Sequence, residues 1–490
     1  MAFVDEQRYV TAMLGLRVLG EGHVREFLQA INSLGARPGD GLWRVLPGLG
    51  QAALLLLFKL NPNAPPSLQV PQVFNVLIMS LNALLLYRIY RLFFPVNFAL
   101  LGVALYSSLV NTNVYLRHIL PYDHSLFFFL LALWLLLIPA ENKIIKRNCW
   151  VGLLSGFSYA VYPGYFLGPV VLLALAVLIS IAPEIRAGDA RQPVSIKPVV
   201  AQLAGFVSVL VLFEALAQLS DTSYLASSRY IATTVTQGSF EEGFSFVGQY
   251  FRQVEGWIGV GILGLFLAGL IVSVGQLRAK SVRPRRKADT RFFISGSLVI
   301  GFVAWLGYAV AVQFAHKLVF YGRILHFFIP LIILGAVVAL QGAASQWPQG
   351  KSVLLVGGWA VAVFHFSTFE KNYQAVTYPC DVAYDFRIHD SRQIVSIDIT
   401  GGDKGVVYYR LFGPRIRNQQ TAAYPKYHLV NFAYLYPISC YQEFPAGQGR
   451  ILASVHYFMK YMPYQFEGHS PSQRALLQKY SYDFWIISGE

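Results

Sequence analysis

Ten stretches of this 490-residue chain are apolar over close to the roughly 20 residues that a helix needs to cross a bilayer, and this feature limits the fold more than any other. They run over 70–94, 96–112, 120–139, 150–167, 168–183, 198–220, 256–276, 292–315, 324–341 and 352–368. Lipid offers no partners to backbone groups, so such segments must satisfy themselves as helices and pack side by side. Composition agrees: 55% of residues are hydrophobic and 13% charged, about half the charged share of a soluble domain. An eleventh apolar run, 42–60, holds Arg44, Pro47, Gly48, Gly50 and Lys59 and reads as helices lying in the interface. The expected class is an α-helical polytopic membrane protein of about 10–11 spans.

A formal charge of +14 would suggest nucleic acid as the partner of a soluble chain, but its placement suggests a topological signal. With residue 70 starting outside, the inner segments 88–95, 140–149, 183–197, 277–291 and 342–351 together hold 16 Lys/Arg and 4 Asp/Glu. The rest of the chain holds 23 and 21, nearly balanced. Leu277 to Arg291 alone contributes seven basic residues against the single acid Asp289. The positive-inside rule therefore sets the orientation, with anionic lipids as partners of the cytoplasmic face and no nucleic acid expected.

Three regions follow. Residues 1–69 are expected as extracytoplasmic or interfacial amphipathic helices, 70–368 as the transmembrane domain, and 369–490 as a small extracytoplasmic soluble domain. The last region alternates apolar and polar positions, as in Arg392–Thr400 and Gly405–Leu411 with Gly-Gly-Asp between them, and reads as α/β. Cys380 and Cys440 fall in it, on the side where thiols oxidise, as a disulfide or as two buried thiols; Cys149 falls at the inner face. No apolar leader precedes the first motif, so either the short amphipathic start crosses by itself or, the preferred expectation, an inside-to-outside helix lies upstream of Met1.

Ionisable residues beside a span are costly and call for a function. The outer side collects Asp5, Glu6 and Tyr9 at the start of the chain, and Arg117, His118, Asp123 and His124 in Tyr-Leu-Arg-His-Ile-Leu-Pro-Tyr-Asp-His. Lys317 and Arg323 flank Leu-Val-Phe-Tyr-Gly at another helix mouth. A carboxylate beside an acceptor can take its proton, and Arg and Lys can hold a phosphate whose charge grows as a sugar leaves it. That set suits transfer of a sugar from a membrane-bound phosphate carrier. The residues also admit plainer roles. Asp5 would be a solvated chain end, Asp123 a helix N-cap, Arg117 and Arg323 interfacial anchors, and Tyr162 and Tyr165 packing residues. Glu214, near the end of an apolar helix, reads as a substrate contact or as a carboxylate held by a neighbour. His118, His124 and Asp123 have the spacing of metal ligands without a third firm one, so no metal or other cofactor is expected to be required.

Asp5-Glu6-Gln-Arg8-Tyr9 resembles the Asp-Glu-x-x-Tyr element that follows the first helix of the GT-C superfamily of polyprenyl-phosphate-sugar-dependent glycosyltransferases. That group includes the lipid A aminoarabinose transferases and protein O-mannosyltransferases. Arg117-His-Ile-Leu-Pro-Tyr-Asp123 resembles the family's Arg-x-x-Leu-x-Asp element with one extra residue, and Gly152–Pro169 and Tyr321–Pro330 are similar to familial stretches. Trp43-Arg44-Val45-Leu46-Pro47 departs from its His/Lys-Pro-Pro element. The resemblance covers most of 5–340. It implies an inverting transfer from a polyprenyl-phosphate-linked sugar at the outer face of a bacterial inner membrane, with Asp5 as general base and Asp123 as second acid. Glu6, Tyr9, Arg117, His118, Lys317 and Arg323 would bind substrate or carrier phosphate. Two rivals remain, a lipid-linked saccharide transporter or flippase and a non-catalytic subunit that keeps the scaffold.

Overall fold

The structure is a computed structural model that describes chiefly residues 18–33, 69–116, 120–138, 144–187, 195–230, 244–278, 286–315, 322–368 and four strands after 395. Asp5, Glu6, Tyr9, Arg117, His118, Lys317, Cys380 and Cys440 lie outside the described residues.

The chain is a multi-pass helical membrane protein. After an amphipathic helix α1 (Val24–Ser33), each of the ten apolar runs is helical. They appear as α2 (Gln69–Arg91), α3 (Val96–Ser108) with the single turn α4 (Val110–Asn113), α5 (Tyr122–Leu137), α6 (Ile144–Val161) and α7 (Leu167–Ala187). α8 (Lys197–Gln218) is followed by two short helices, α9 (Tyr224–Tyr230) and α10 (Ser245–Tyr250), and then by a π-helical turn, Phe251–Glu255. α11 (Gly256–Arg278), α12 (Arg286–Gln313), α13 (Gly322–Gln346) and α14 (Lys351–Ser367) complete the bundle. Seven helices among the described residues are long and apolar enough to cross a membrane, with α3 and α5 as shorter apolar helices.

The run 96–112 is not one helix, and the reason is local. Leu109 is extended at φ −72 and ψ 142, so the last carbonyls of α3 lose their partners. The polar residues just beyond supply new ones: Thr112 Oγ1 donates to Tyr106 O and Leu109 O, both at 2.8 Å, and Asn113 Nδ2 donates to Ser107 O at 2.9 Å and Leu109 O at 2.7 Å. The restarted turn α4 needs acceptors for its first N–H groups. Glu255 provides them from far along the chain.

Two glycines permit the geometry. A Cβ on Gly152 of α6 would lie 2.0 Å from the Gln202 carbonyl, and one on Gly205 of α8 would lie 2.2 Å from the Cys149 carbonyl, so these helices touch backbone to backbone, as small residues allow in membranes. At the π turn, Gly256 adopts φ 65 and ψ −155, a region open essentially to glycine alone, and turns the chain into α11 immediately after Glu255. α13 is the buried axis of the bundle, 83% of its apolar window being enclosed.

Beyond α14 the described residues form a mixed four-stranded sheet in the order β1-β2-β4-β3, from β1 (Ser396–Asp398), β2 (Lys426–Asn431), β3 (Ile451–Phe458) and β4 (Ser481–Gly489). β1 lies within the expected strand 392–400 and pairs in parallel with β2, while Gly405–Leu411 lies outside the described residues.

Candidate functional site

Asp123 enters the bundle at the second position of α5. It is 4% exposed, and its carboxylate bonds across to another helix instead of capping its own: no side chain caps α5, and Oδ1 lies 3.1 Å from Nε2 of His326, which is fully buried on α13. Asn82 of α2 donates through Nδ2 to the Asp123 carbonyl at 3.0 Å and approaches Oδ1 at 3.5 Å. Asn82 lies thirteen residues into α2, which recesses the pair about 20 Å below the start of that helix. The sequence alone placed this carboxylate at the outer mouth.

Arg323 stands one helical turn before His326, so the two share a face of α13. Its Nη1 donates to the Tyr122 hydroxyl at 3.0 Å, its guanidinium carbon lies 5.8 Å from the centre of that ring, and its carbonyl accepts from the Tyr165 hydroxyl at 2.9 Å. Tyr115, Tyr122, Tyr162 and Tyr165 form a chain of edge-on rings with centroids 4.9 to 5.0 Å apart. Neighbouring residues of α5, Tyr122 and Asp123, therefore meet neighbouring-turn residues of α13, Arg323 and His326. Each of these contacts joins positions about 200 apart in sequence, Arg323 to the Tyr122 hydroxyl and His326 to the Asp123 carboxylate.

A second acid–histidine pair lies beside the first. Glu255, 2% exposed, accepts from the backbone N–H of Val110 at 2.9 Å and of Asn111 at 2.8 Å, and meets Nε2 of His365 on α14 at 3.0 Å. Asn111 joins the pairs. Its Oδ1 meets Nδ1 of His326 at 3.1 Å, and its Nδ2 donates to the Tyr250 hydroxyl at 2.9 Å and the Gly322 carbonyl at 3.1 Å.

Farther along α2, α5 and α13 the lining turns apolar. Leu86, Tyr90, Phe129, Leu133, Phe327 and Leu331 line an apolar cleft that residues of α7 and α12 also border. Asp123 and Arg323 precede the first of these lining residues on α5 and α13 by one to two helical turns.

Of the residues singled out in the sequence, Asp123 and Arg323 lie on packed helices here, Arg323 bonded to the Tyr122 that precedes Asp123, and Glu214 resolves differently. Its carboxylate accepts from Ser223 Oγ at 3.2 Å and the Leu225 N–H at 2.9 Å, so it caps the start of α9. His124 stacks on Phe74 with ring centroids 5.6 Å apart. His326, Asn111, Asn82, Glu255 and His365 were not anticipated. Each is a polar residue in or beside an apolar run, and His326 sits three positions after an already chosen arginine, a spacing that puts both on one helix face.

No protein-family model matches the chain, and no curated protein matches it. Among solved structures it is similar to the ArnT crystal structure from Cupriavidus metallidurans bound to undecaprenyl phosphate, at 12% identity, covering 92% of each chain with a TM-score of 0.49.

Proposed function

We propose that the chain is a membrane glycosyltransferase that moves a sugar from a polyprenyl phosphate to an acceptor, with the site around Asp123 and Arg323 receiving the carrier's head and the apolar cleft its chain. The observation that carries this reading is that Arg323, bonded to Tyr122, and the adjacent Asp123–His326 pair stand on α5 and α13 a turn or two before the residues of those helices that line the cleft. In the transfer, an acceptor O–H or N–H gives its proton to a carboxylate as the acceptor atom bonds to the anomeric carbon. The bond from that carbon to the phosphate oxygen breaks, its electron pair leaves on the phosphate, and the anomeric centre inverts. Asp5 is the base, Asp123 positions the acceptor or base, and Arg323, with Arg117 and Lys317, stabilises the growing phosphate charge, an interaction stronger in the transition state than in the ground state. Glu6, Tyr9 and His118 complete the substrate contacts. The active face and the tail are extracytoplasmic, in an inner membrane, and no metal is required.

The experiment incubates the purified chain with radiolabelled polyprenyl-phosphate sugars and follows release of free carrier phosphate. Release by the wild type is expected, with Asp5→Asn silent yet still binding the carrier. Undiminished transfer in Asp5→Asn would remove that base, and no release with any sugar would remove the enzyme. One observation favours a second reading as a transporter of lipid-linked saccharides: two acid–histidine pairs lie buried within the helical bundle, as proton-coupled carriers require. Sugar-lipid movement across vesicles without release of carrier phosphate would select it.

A further inference from the structure

The Asn111 amide decides where protons sit in the neighbouring pair. Its nitrogen faces the Gly322 carbonyl at 3.1 Å, and a carbonyl can only accept, so the other atom turned toward His326 is the amide oxygen. That oxygen can also only accept, and Nδ1 of His326 therefore carries a hydrogen. The opposite ring nitrogen, Nε2, lies 3.1 Å from Oδ1 of Asp123. Were it bare against an ionised carboxylate, two acceptors would face each other where neither side chain is more than 5% exposed, which burial does not tolerate. Two patterns remain: an imidazolium N–H donating to a carboxylate, or a carboxylic O–H donating to a neutral ring. They hold the same number of protons and the same net charge, zero.

We propose that Asp123 and His326 form one electrically neutral unit, with a single proton held between Oδ1 and Nε2, that leaves Oδ2 to accept an O–H or N–H of the acceptor without adding negative charge beside the carrier's phosphate. The role toward phosphate rests on the reading of the site given above; the location of the proton does not. The arrangement divides labour along one face of α13. His326 cancels the carboxylate, and the Arg323 guanidinium one turn earlier remains for the phosphate instead of being drawn to Asp123. His326 is thus a positioning residue. A bare carboxylate beside a phosphate would weaken its binding by about tenfold or more at the effective dielectric of a protein site.

Two measurements on the full chain in detergent micelles test this. With ¹⁵N-labelled histidine at about pH 7, NMR should find a hydrogen on Nδ1 of His326 and a downfield shared proton that disappears in Asp123→Asn. A bare Nδ1, or no proton on the Asp123 edge, overturns the shared proton, and wild type and Asp123→Asn suffice to decide it. In the second measurement, His326→Gln should bind a polyprenyl monophosphate about tenfold more weakly than wild type. The double variant Asp123→Asn/His326→Gln should recover most of that affinity, which also establishes that the His326 substitution folds. Equal affinity of His326→Gln and wild type, or no recovery in the double variant, overturns the charge-cancelling role. Failure of the wild type to bind the monophosphate removes the reading of the site, and with it that role, while the NMR result still stands on its own.

Discussion

Asp123 with His326 and Glu255 with His365 share a plan: a buried carboxylate near a helix end meets Nε2 of a histidine on a later helix, at 3.1 and 3.0 Å. They differ in what the remaining oxygens do. Both oxygens of Glu255 are engaged, Oε1 by the Asn111 N–H and Oε2 by the Val110 N–H and His365. Asp123 has its Oδ1 occupied by His326 and grazed by Asn82, while among the described residues no donor meets Oδ2. A carboxylate with both oxygens engaged is a pin, holding the restarted turn α4 against α14. One with an oxygen to spare can serve a ligand. Type of residue and depth of burial do not separate the two; the count of donors does.

The sharpest way to break that contrast is Glu255→Ala. It leaves two backbone N–H groups and a histidine without their acceptor in the interior, and a loss of about 3–5 kcal/mol is expected by thermal unfolding in micelles. Stability within experimental error of wild type would mean that Glu255 is no pin. Asp123→Asn keeps shape and should stay folded, yet lower transfer by about 10²–10³-fold, as for a group that acts on the reacting atoms or their base. If it instead unfolds the chain while the surviving fraction transfers sugar normally, the two acids are alike after all. His365→Gln follows with about 1–3 kcal/mol of stability. Its kcat and KM per folded molecule should match wild type, whereas any loss of kcat would put the second pair in the chemistry.

The bundle was readable in the sequence because lipid leaves a spanning segment few choices, and all ten apolar runs proved helical. The break at Leu109 was hidden by its cause: the acceptor that stabilises the new turn is Glu255, some 145 residues away, and local pattern carries no trace of so distant a partner. Asp123 and Arg323 stood out as ionisable residues at helix mouths, and their helices do meet, Arg323 bonding to Tyr122 and Asp123 to His326. The depth of Asp123 did not, since it depends on how far α2 projects past α5, a matter of packing. His326 passed as one more residue of an apolar helix. Yet a histidine one turn from a chosen arginine, four residues before Pro330, where the helix must leave the His326 carbonyl without its usual donor, was a legible signal.

The smallest effect tests whether the pairs, distinct in role, are coupled. Tyr250 is the last residue of α10, and its hydroxyl accepts from Asn111 Nδ2. Tyr250→Phe removes that acceptor but leaves the Gly322 carbonyl to orient the amide, so about 0.5–1.5 kcal/mol of stability should be lost. Asn111 touches His326 through its side chain and Glu255 through its backbone. A looser amide should therefore also relax the grip on Nδ1 of His326, and transfer should fall by roughly two- to fivefold alongside the stability. The decisive quantity is the cycle with Asp123→Asn. If Asn111 transmits the effect to the Asp123 side, Tyr250→Phe costs activity in the wild type and none once Asp123 is gone, leaving an interaction of about 0.5 kcal/mol or more. Additive losses would make Asn111 a spacer between two independent pairs, and the half-satisfied acid would then owe its behaviour to His326 alone.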